Sequence, residues 1–224
     1  MAEIAPFRAW RYDFLNIGGN LSTRIAPPYD VLDQAGKDRL LAKSDRNIVA
    51  VDLPNAPAKA LGPPECYQTA ARTLENWQTD GTLVQEASPA VYAYHQLFEH
   101  AGQSYTRRMF IARLKLEPFS AGIVLPHEET FGGPKEDRLA LMKTTRANLS
   151  PVFALFRDPD EHLAGIFSSH IDRSPDAQTT LDGVENRIWI VTEGDAVNQL
   201  VQAFADKQVY IADGHHRYNT ALTY

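Results

Sequence analysis

Two periodicities share this chain. Residues 90–99 and 104–116 are dense in aromatic and β-branched side chains, and His100-Ala-Gly-Gln103 joins them. Such runs around a short polar connector with glycine predict an antiparallel hairpin. Residues 186–191 alternate between polar and apolar positions and predict a further strand. Shorter strands are expected over 4–12, 21–26, 47–53 and 151–156. Helical spacing is clearest over 65–78, where Tyr67, Ala70, Ala71, Leu74 and Trp77 share one face. Pro63 or Pro64 opens that helix, and Thr79-Asp-Gly81 closes it. Helices are also expected over 33–42, 135–148, 158–168 and 193–205, the last capped by Thr192. Residues 174–182 read as a polar link.

Helices and strands that alternate around a central hairpin predict a mixed α/β (α+β) fold, with a partly antiparallel sheet and flanking helices. One compact domain over 1–224 is expected, with 86–118 as a hairpin subregion. The chain stops at Tyr224, inside its last predicted helix and without a capping glycine. A continuation beyond this point is therefore expected.

Composition narrows the function classes. Of the 224 residues, 44% are hydrophobic and 22% charged, which is ordinary for a globular domain. The formal charge of −6 argues against a nucleic-acid partner, which needs a basic face. Cys66 is the single cysteine, so no internal disulfide can form. The first residues lack both a basic start and an apolar run, and no stretch approaches the roughly 20 apolar residues of a membrane helix. A cytoplasmic protein that meets no membrane is expected.

The densest chemistry lies in Val209-Tyr-Ile-Ala-Asp-Gly-His-His-Arg-Tyr218. Residues 209–212 read as a buried strand that turns into a helix at Asp213-Gly214. Gly214 suits a positive φ, and Asp213 suits an N-cap. A helix N-terminus offers free N–H groups and partial positive charge, so it favours anions. Arg217 adds a permanent cation, and His215 and His216 add groups that titrate near neutrality. Neighbours on a helix point about 100° apart, so only one histidine can face a ligand. His215, nearer the free N–H groups, is expected to be that one.

Leu125-Pro-His-Glu-Glu-Thr-Phe-Gly-Gly-Pro-Lys-Glu-Asp-Arg138 forms a second polar cluster. His127 and Glu128 follow a proline on extended backbone. A loop over 131–134 leads to a helix whose basic face carries Lys135, Arg138, Lys143 and Arg146, with Leu139, Leu141 and Met142 inward. Neither the His-Glu-x-x-His spacing of a zinc hydrolase nor the spacing of a P-loop is present. Pro27 and Pro28 stiffen the loop that bears Tyr29 and Asp30.

Ile211-Ala-Asp-Gly-His-His-Arg-Tyr218 with Thr220-Ala-Leu222 resembles the signature of a bacterial and archaeal family, domain of unknown function 1015. Ile25-Ala-Pro-Pro-Tyr-Asp-Val31, Leu125-Pro-His-Glu-Glu-Thr130 and Lys135-Glu-Asp-Arg-Leu139 extend the resemblance over most of the chain. It implies that Tyr29 and Asp30 belong to a site. The Asp-Gly-His-His-Arg box is also similar, more remotely, to a box of the ParB/sulfiredoxin superfamily. There the box sits at a helix N-terminus and binds nucleotide phosphates.

If these segments converge, Asp30, Glu128 and His215 are candidate catalytic groups. Gly214, His216, Arg217, Lys135 and Arg138 are candidate phosphate contacts. Tyr29, His127 and Asp213 complete the expected pocket. Three activities fit: a phosphotransferase that uses ATP or ADP with Mg²⁺ on a small metabolite, a nucleotide-binding module without turnover, and a metal-dependent hydrolase on His127, Glu128, Asp213 and His215.

Overall fold

The computed structural model describes residues 1–224 except 17–19, 59 and 129–131, and the side chains of 132–134 also lie outside the description. The expectations for Glu129, Thr130 and Phe131 therefore fall outside the described residues. In chain order, β1 (Ile4–Ala5) and β2 (Trp10–Tyr12) precede α1 (Gln34–Lys43), α2 (Val49–Asp52) and α3 (Pro64–Thr79). The strands β3 (Leu83–Gln85), β4 (Val91–His100), β5 (Gln103–Ile111), β6 (Arg113–Leu114) and β7 (Val124–Leu125) follow. Next come α4 (Gly132–Thr145), β8 (Phe153–Leu155), α5 (His162–Ile166) and α6 (Ser168–Ile171). The chain then forms β9 (Ala177–Leu181), β10 (Val184–Val191), α7 (Gly194–Phe204), β11 (Val209–Asp213) and α8 (His215–Thr223). The fold is mixed α/β, as the pattern predicts. Contacts divide it into two compact units.

The first unit comprises residues 1–22, 83–115 and 156–208. Its antiparallel sheet has the order β5-β4-β10-β9. The predicted hairpin is present, with Glu99 opposite Ser104 and Tyr92 opposite Ile111. One face carries Val91, Ala93, Trp189 and Val191, all buried. Phe110 meets Phe156, Phe167 and Phe204 at ring separations of 5.8, 6.0 and 5.7 Å. α7 contributes Val197, Leu200 and Phe204 to the core. Its cap position is Glu193 rather than Thr192.

The polar link expected over 174–182 is instead mostly strand β9, paired with β10 from Leu181–Val184 to Ala177–Ile188. Asp182 and Gly183 both have positive φ, 49° and 80°. That is the two-residue Asp-Gly hairpin turn, whose backbone twist matches the flanking strands. The polar composition of Gln178-Thr-Thr180 obscured an edge strand.

The second unit comprises residues 23–82, 116–155 and 209–224. β11 lies at the centre of a three-stranded sheet, parallel to β7 and antiparallel to β8. Val209 and Ile211 are buried while Tyr210 between them is exposed, the alternation of a strand with one covered face. α4 packs against both α3 and α8. Tyr29, Leu40, Val49, Leu53 and Ala58 form one buried cluster here.

Two expected strands are helical instead. Leu21–Thr23 is a turn of 3₁₀ helix, and the run over 47–53 contains α2. Asn47 explains the second case. Its Oδ1 accepts from Val49 N at 3.0 Å, while its Nδ2 donates to Thr23 O and Ile25 O, both at 2.8 Å. The side chain bends its own backbone into a turn and pins the preceding segment, and the apolar run buries itself as a helix. Asn47 is itself fully buried. Replacing Asn47 by Ala removes the hydrogen bonds it makes to Thr23 O, Ile25 O and Val49 N. The expected loss is about 2–4 kcal/mol on the scale of buried unsatisfied groups. Urea denaturation measures it, and a loss below about 0.5 kcal/mol contradicts this account of α2.

Candidate functional site

Every residue of the candidate site belongs to the second unit. β11 ends at Asp213 and α8 begins at His215, so the strand-turn-helix is present. Gly214 sits between them at φ 96°. A Cβ there would lie 3.0 Å from Cζ and Nε of Arg217. Glycine is therefore required twice, by the backbone angle and by the guanidinium packed against it.

Asp213 does not cap the helix. The cap position is Gly214, and no side chain caps the turn. The Asp213 carboxylate instead accepts from Arg217 Nη2, and Pro151 O accepts from Nη1. Asp30 Oδ2 lies 3.8 Å from Nη2. Arg217 is thus buried among oxygens. The first helical bond runs from Tyr218 N to Gly214 O at 2.9 Å. The amides of His215 and Arg217 precede it and have no helical carbonyl to reach.

The His127 segment docks on this turn. His127 N donates to His215 Nε2 at 3.2 Å. His127 Nδ1 lies 2.8 Å from Ile211 O. The two rings meet edge to face with centroids 4.4 Å apart. His215 Nδ1 lies 2.9 Å from Glu128 Oε1, an ion-pair separation too bent for a well-aligned hydrogen bond. The partners assign the tautomers. A backbone N–H can only donate, so Nε2 of neutral His215 carries the lone pair and Nδ1 the proton. A carbonyl can only accept, so His127 holds its proton on Nδ1 and its lone pair on Nε2, which has no partner among the described residues. Burial lowers the pKa of His215, and the Glu128 carboxylate only partly opposes this. Protonating Nε2 would also set two donors against each other, so His215 is neutral at pH 7.

A second network underlies the first. Asp137 is fully buried and accepts from Tyr67 Oη at 2.6 Å. Arg138 donates to the other Asp137 oxygen through Nε and Nη2 at 2.8 and 2.6 Å. Arg138 Nη1 reaches Asp52 O at 2.5 Å and lies 3.5 Å from Asp52 Oδ1. Its guanidinium covers the Tyr29 ring at 4.0 Å. Burial raises the Asp52 carboxyl, with Arg138 and the Ser150 hydroxyl pulling the other way. Burial, with Asp137 beside it, also raises the Tyr67 phenol.

Several sequence expectations change here. Arg138 does not belong to a solvated basic face. It is buried beside Asp137 and Leu141, while Lys143 and Arg146 are exposed. α4 starts at Gly132, within the expected loop over 131–134. No described contact joins Lys135 to the other site residues. His216 lies half-buried on a different face of α8 from His215. Tyr29 and Asp30 do meet the site, through Arg138 and Arg217.

Sequence reasoning missed Asp52, Asp137 and Ser150. Asp52, Arg138, Ser150, Arg217 and Thr220 help line a small recess of about 30 Å³. Asp52 was hidden in an apolar run misread as strand. Asp137 was hidden by its neighbours, since Lys-Glu-Asp-Arg reads as an exposed helix start.

The chain belongs to the family described as protein of unknown function (DUF1015), whose profile matches residues 4–224. No curated protein and no solved structure matches it.

Two substitutions test this geometry. Gly214→Ala is expected to cost more than about 1 kcal/mol, since it forces a positive φ on alanine and presses its Cβ on the Arg217 guanidinium. Asp137→Ala is expected to cost about 3–5 kcal/mol, because it strands a buried guanidinium. Tyr67→Phe, which removes one hydrogen bond to the same carboxylate, should cost far less than Asp137→Ala. Chemical denaturation of the three variants checks the order, and near-equal losses for Asp137→Ala and Tyr67→Phe refute the proposed role of the ion pair.

Proposed function

We propose that this site transfers a phosphoryl group from ATP or ADP, carried with Mg²⁺, to a small metabolite. The observation that carries the reading is the docking of His127 and Glu128 on the first turn of α8. That turn opens on a glycine with no side-chain cap, as a phosphate site requires. In this reading the amides of the turn hold phosphate oxygens, and Asp30 or Glu128 serves as general base or Mg²⁺ ligand. Phosphoryl transfer demands mainly positioning and neutralised charge. The likeness of the Asp-Gly-His-His-Arg box to the ParB/sulfiredoxin superfamily supports the same ligand class.

Charge bears on the details. Asp30, Asp52, Asp137 and Asp213 surround two guanidiniums, those of Arg138 and Arg217. A bare anion gains little there, whereas a cation-bearing nucleotide finds carboxylates for its metal. Arg217 is committed to Asp213 and Pro151, and in this reading it holds the turn in shape beneath the phosphates.

A nucleotide-binding module without turnover would use the same turn. A hydrolase with His127, Glu128, Asp213 and His215 as ligands fits less well. Nε2 of His215 accepts from the His127 amide, its Nδ1 bears the proton, and Asp213 is paired with Arg217.

Calorimetric titration with ATP and ADP, with and without Mg²⁺, tests binding. Transfer of labelled phosphate to a pool of small hydroxyl and amine acceptors tests turnover. Binding that needs Mg²⁺ is expected, with measurable transfer. Asp30→Asn should cut transfer about 10²-fold or more, the scale of a lost general base, while binding changes only a few-fold. Binding without transfer selects the module, and absence of nucleotide binding removes the proposal.

A further inference from the structure

We infer that His127 and Glu128 ligate a divalent transition-metal ion, with His215 as the residue that orients them rather than a third ligand. Ligand-type atoms of these three residues lie within 4.8 Å of one another. Their hydrogen bonds divide them by role. His127 gives its Nδ1 proton to Ile211 O and keeps an unshared pair on Nε2. Metal-bound histidines characteristically have this arrangement, because the second bond fixes the ring and raises the basicity of the ligating nitrogen. The segment is also held by its backbone, since His127 N donates to His215 Nε2. An exposed histidine held at both its amide and its ring is pre-set for a ligand.

Glu128 supplies the second donor. Its side chain is 53% exposed, and one oxygen lies 2.9 Å from the His215 Nδ1 that carries a proton. Among the described residues the other oxygen has no partner, so it can bind an ion without giving up that contact. His215 cannot join as a ligand in this geometry. Its Nε2 pair is taken by the His127 amide, and its Nδ1 bears the proton that faces Glu128. It is fully buried and acts through its neighbours.

The donor set selects the ion. One imidazole nitrogen with one carboxylate oxygen suits Mn²⁺, Fe²⁺, Co²⁺ or Zn²⁺ better than Mg²⁺ or Ca²⁺, which favour all-oxygen sites. Two protein ligands leave several coordination positions open to water and to a substrate oxygen. The ion site stands independently of the nucleotide reading, while a role for that ion in positioning phosphates rests on it.

The test uses the full chain, freed of metal with chelator, and Mn²⁺ as probe without nucleotide. Calorimetry is expected to show one Mn²⁺ per chain, displaced by Zn²⁺ but not by a large excess of Mg²⁺. His127→Ala and Glu128→Gln should each weaken binding at least tenfold. His215→Asn should weaken it 10–100-fold, the usual effect of losing an orienting partner. Pulsed electron paramagnetic resonance on the wild type counts directly coordinated nitrogens, so the result does not depend on a buried variant folding. One nitrogen is expected. Two nitrogens overturn the role given to His215, and absence of Mn²⁺ and Zn²⁺ binding overturns the site. ATP binding is titrated separately in Mg²⁺, so failure of the nucleotide reading is seen as such.

Discussion

The buried pair of Asp137 and Arg138 fixes much of the second unit. Asp137 has no exposure, and its carboxylate takes hydrogen bonds from Arg138 and from the Tyr67 hydroxyl on α3. Arg138 then spends its remaining nitrogen on the end of α2 and lays its planar face on Tyr29. Charges this deep are tolerated only where each has its partners, so the geometry of α2, α3, α4 and the Tyr29 loop must agree. A guanidinium can satisfy all of these at once because it is planar and carries donors in fixed directions. Lysine, a point charge, could not.

What rests on this frame is a turn with little freedom. Asp30 follows Tyr29 and approaches Arg217, which also binds Asp213 and the Pro151 carbonyl. Arg217 in turn packs against Gly214 so closely that a methyl group there would press on the guanidinium. The first turn of α8 is thereby held by Arg217, while the His127–Glu128 segment docks on the His215 ring. Rigid support under an exposed cluster of donors and acceptors is the arrangement expected of a binding site rather than of a solvated loop.

His127 and His215 show how identical side chains acquire opposite roles. Each has one nitrogen committed to a backbone group. For His215 the partner is an amide, which takes the lone pair and, with burial, keeps the ring neutral. For His127 the partner is a carbonyl, which takes the proton and leaves the other nitrogen available. The chemistry on offer follows from which backbone atom each ring meets.

Much of this was legible in the sequence, wherever a local rule governs. The hairpin of β4 and β5, the α3 face and the switch from β11 to α8 follow from periodicity and from Gly214, whose positive φ is a local property of the chain. His127–Glu128 and the Asp-Gly-His-His-Arg turn were expected to share a site on residue chemistry together with the family resemblance, and the two segments are in contact. Which side chains pair with one another was not legible. Asp213 looked like a cap and became the partner of Arg217, and Arg138 looked solvated and became buried. The run over 47–53 looked like a strand and contains a helix, because Asn47 found carbonyls more than twenty residues away. A sequence states which groups can donate, accept or carry charge. Which of them is spent on another part of the chain, and which is left for a ligand, is decided only when the tertiary structure brings their partners within reach.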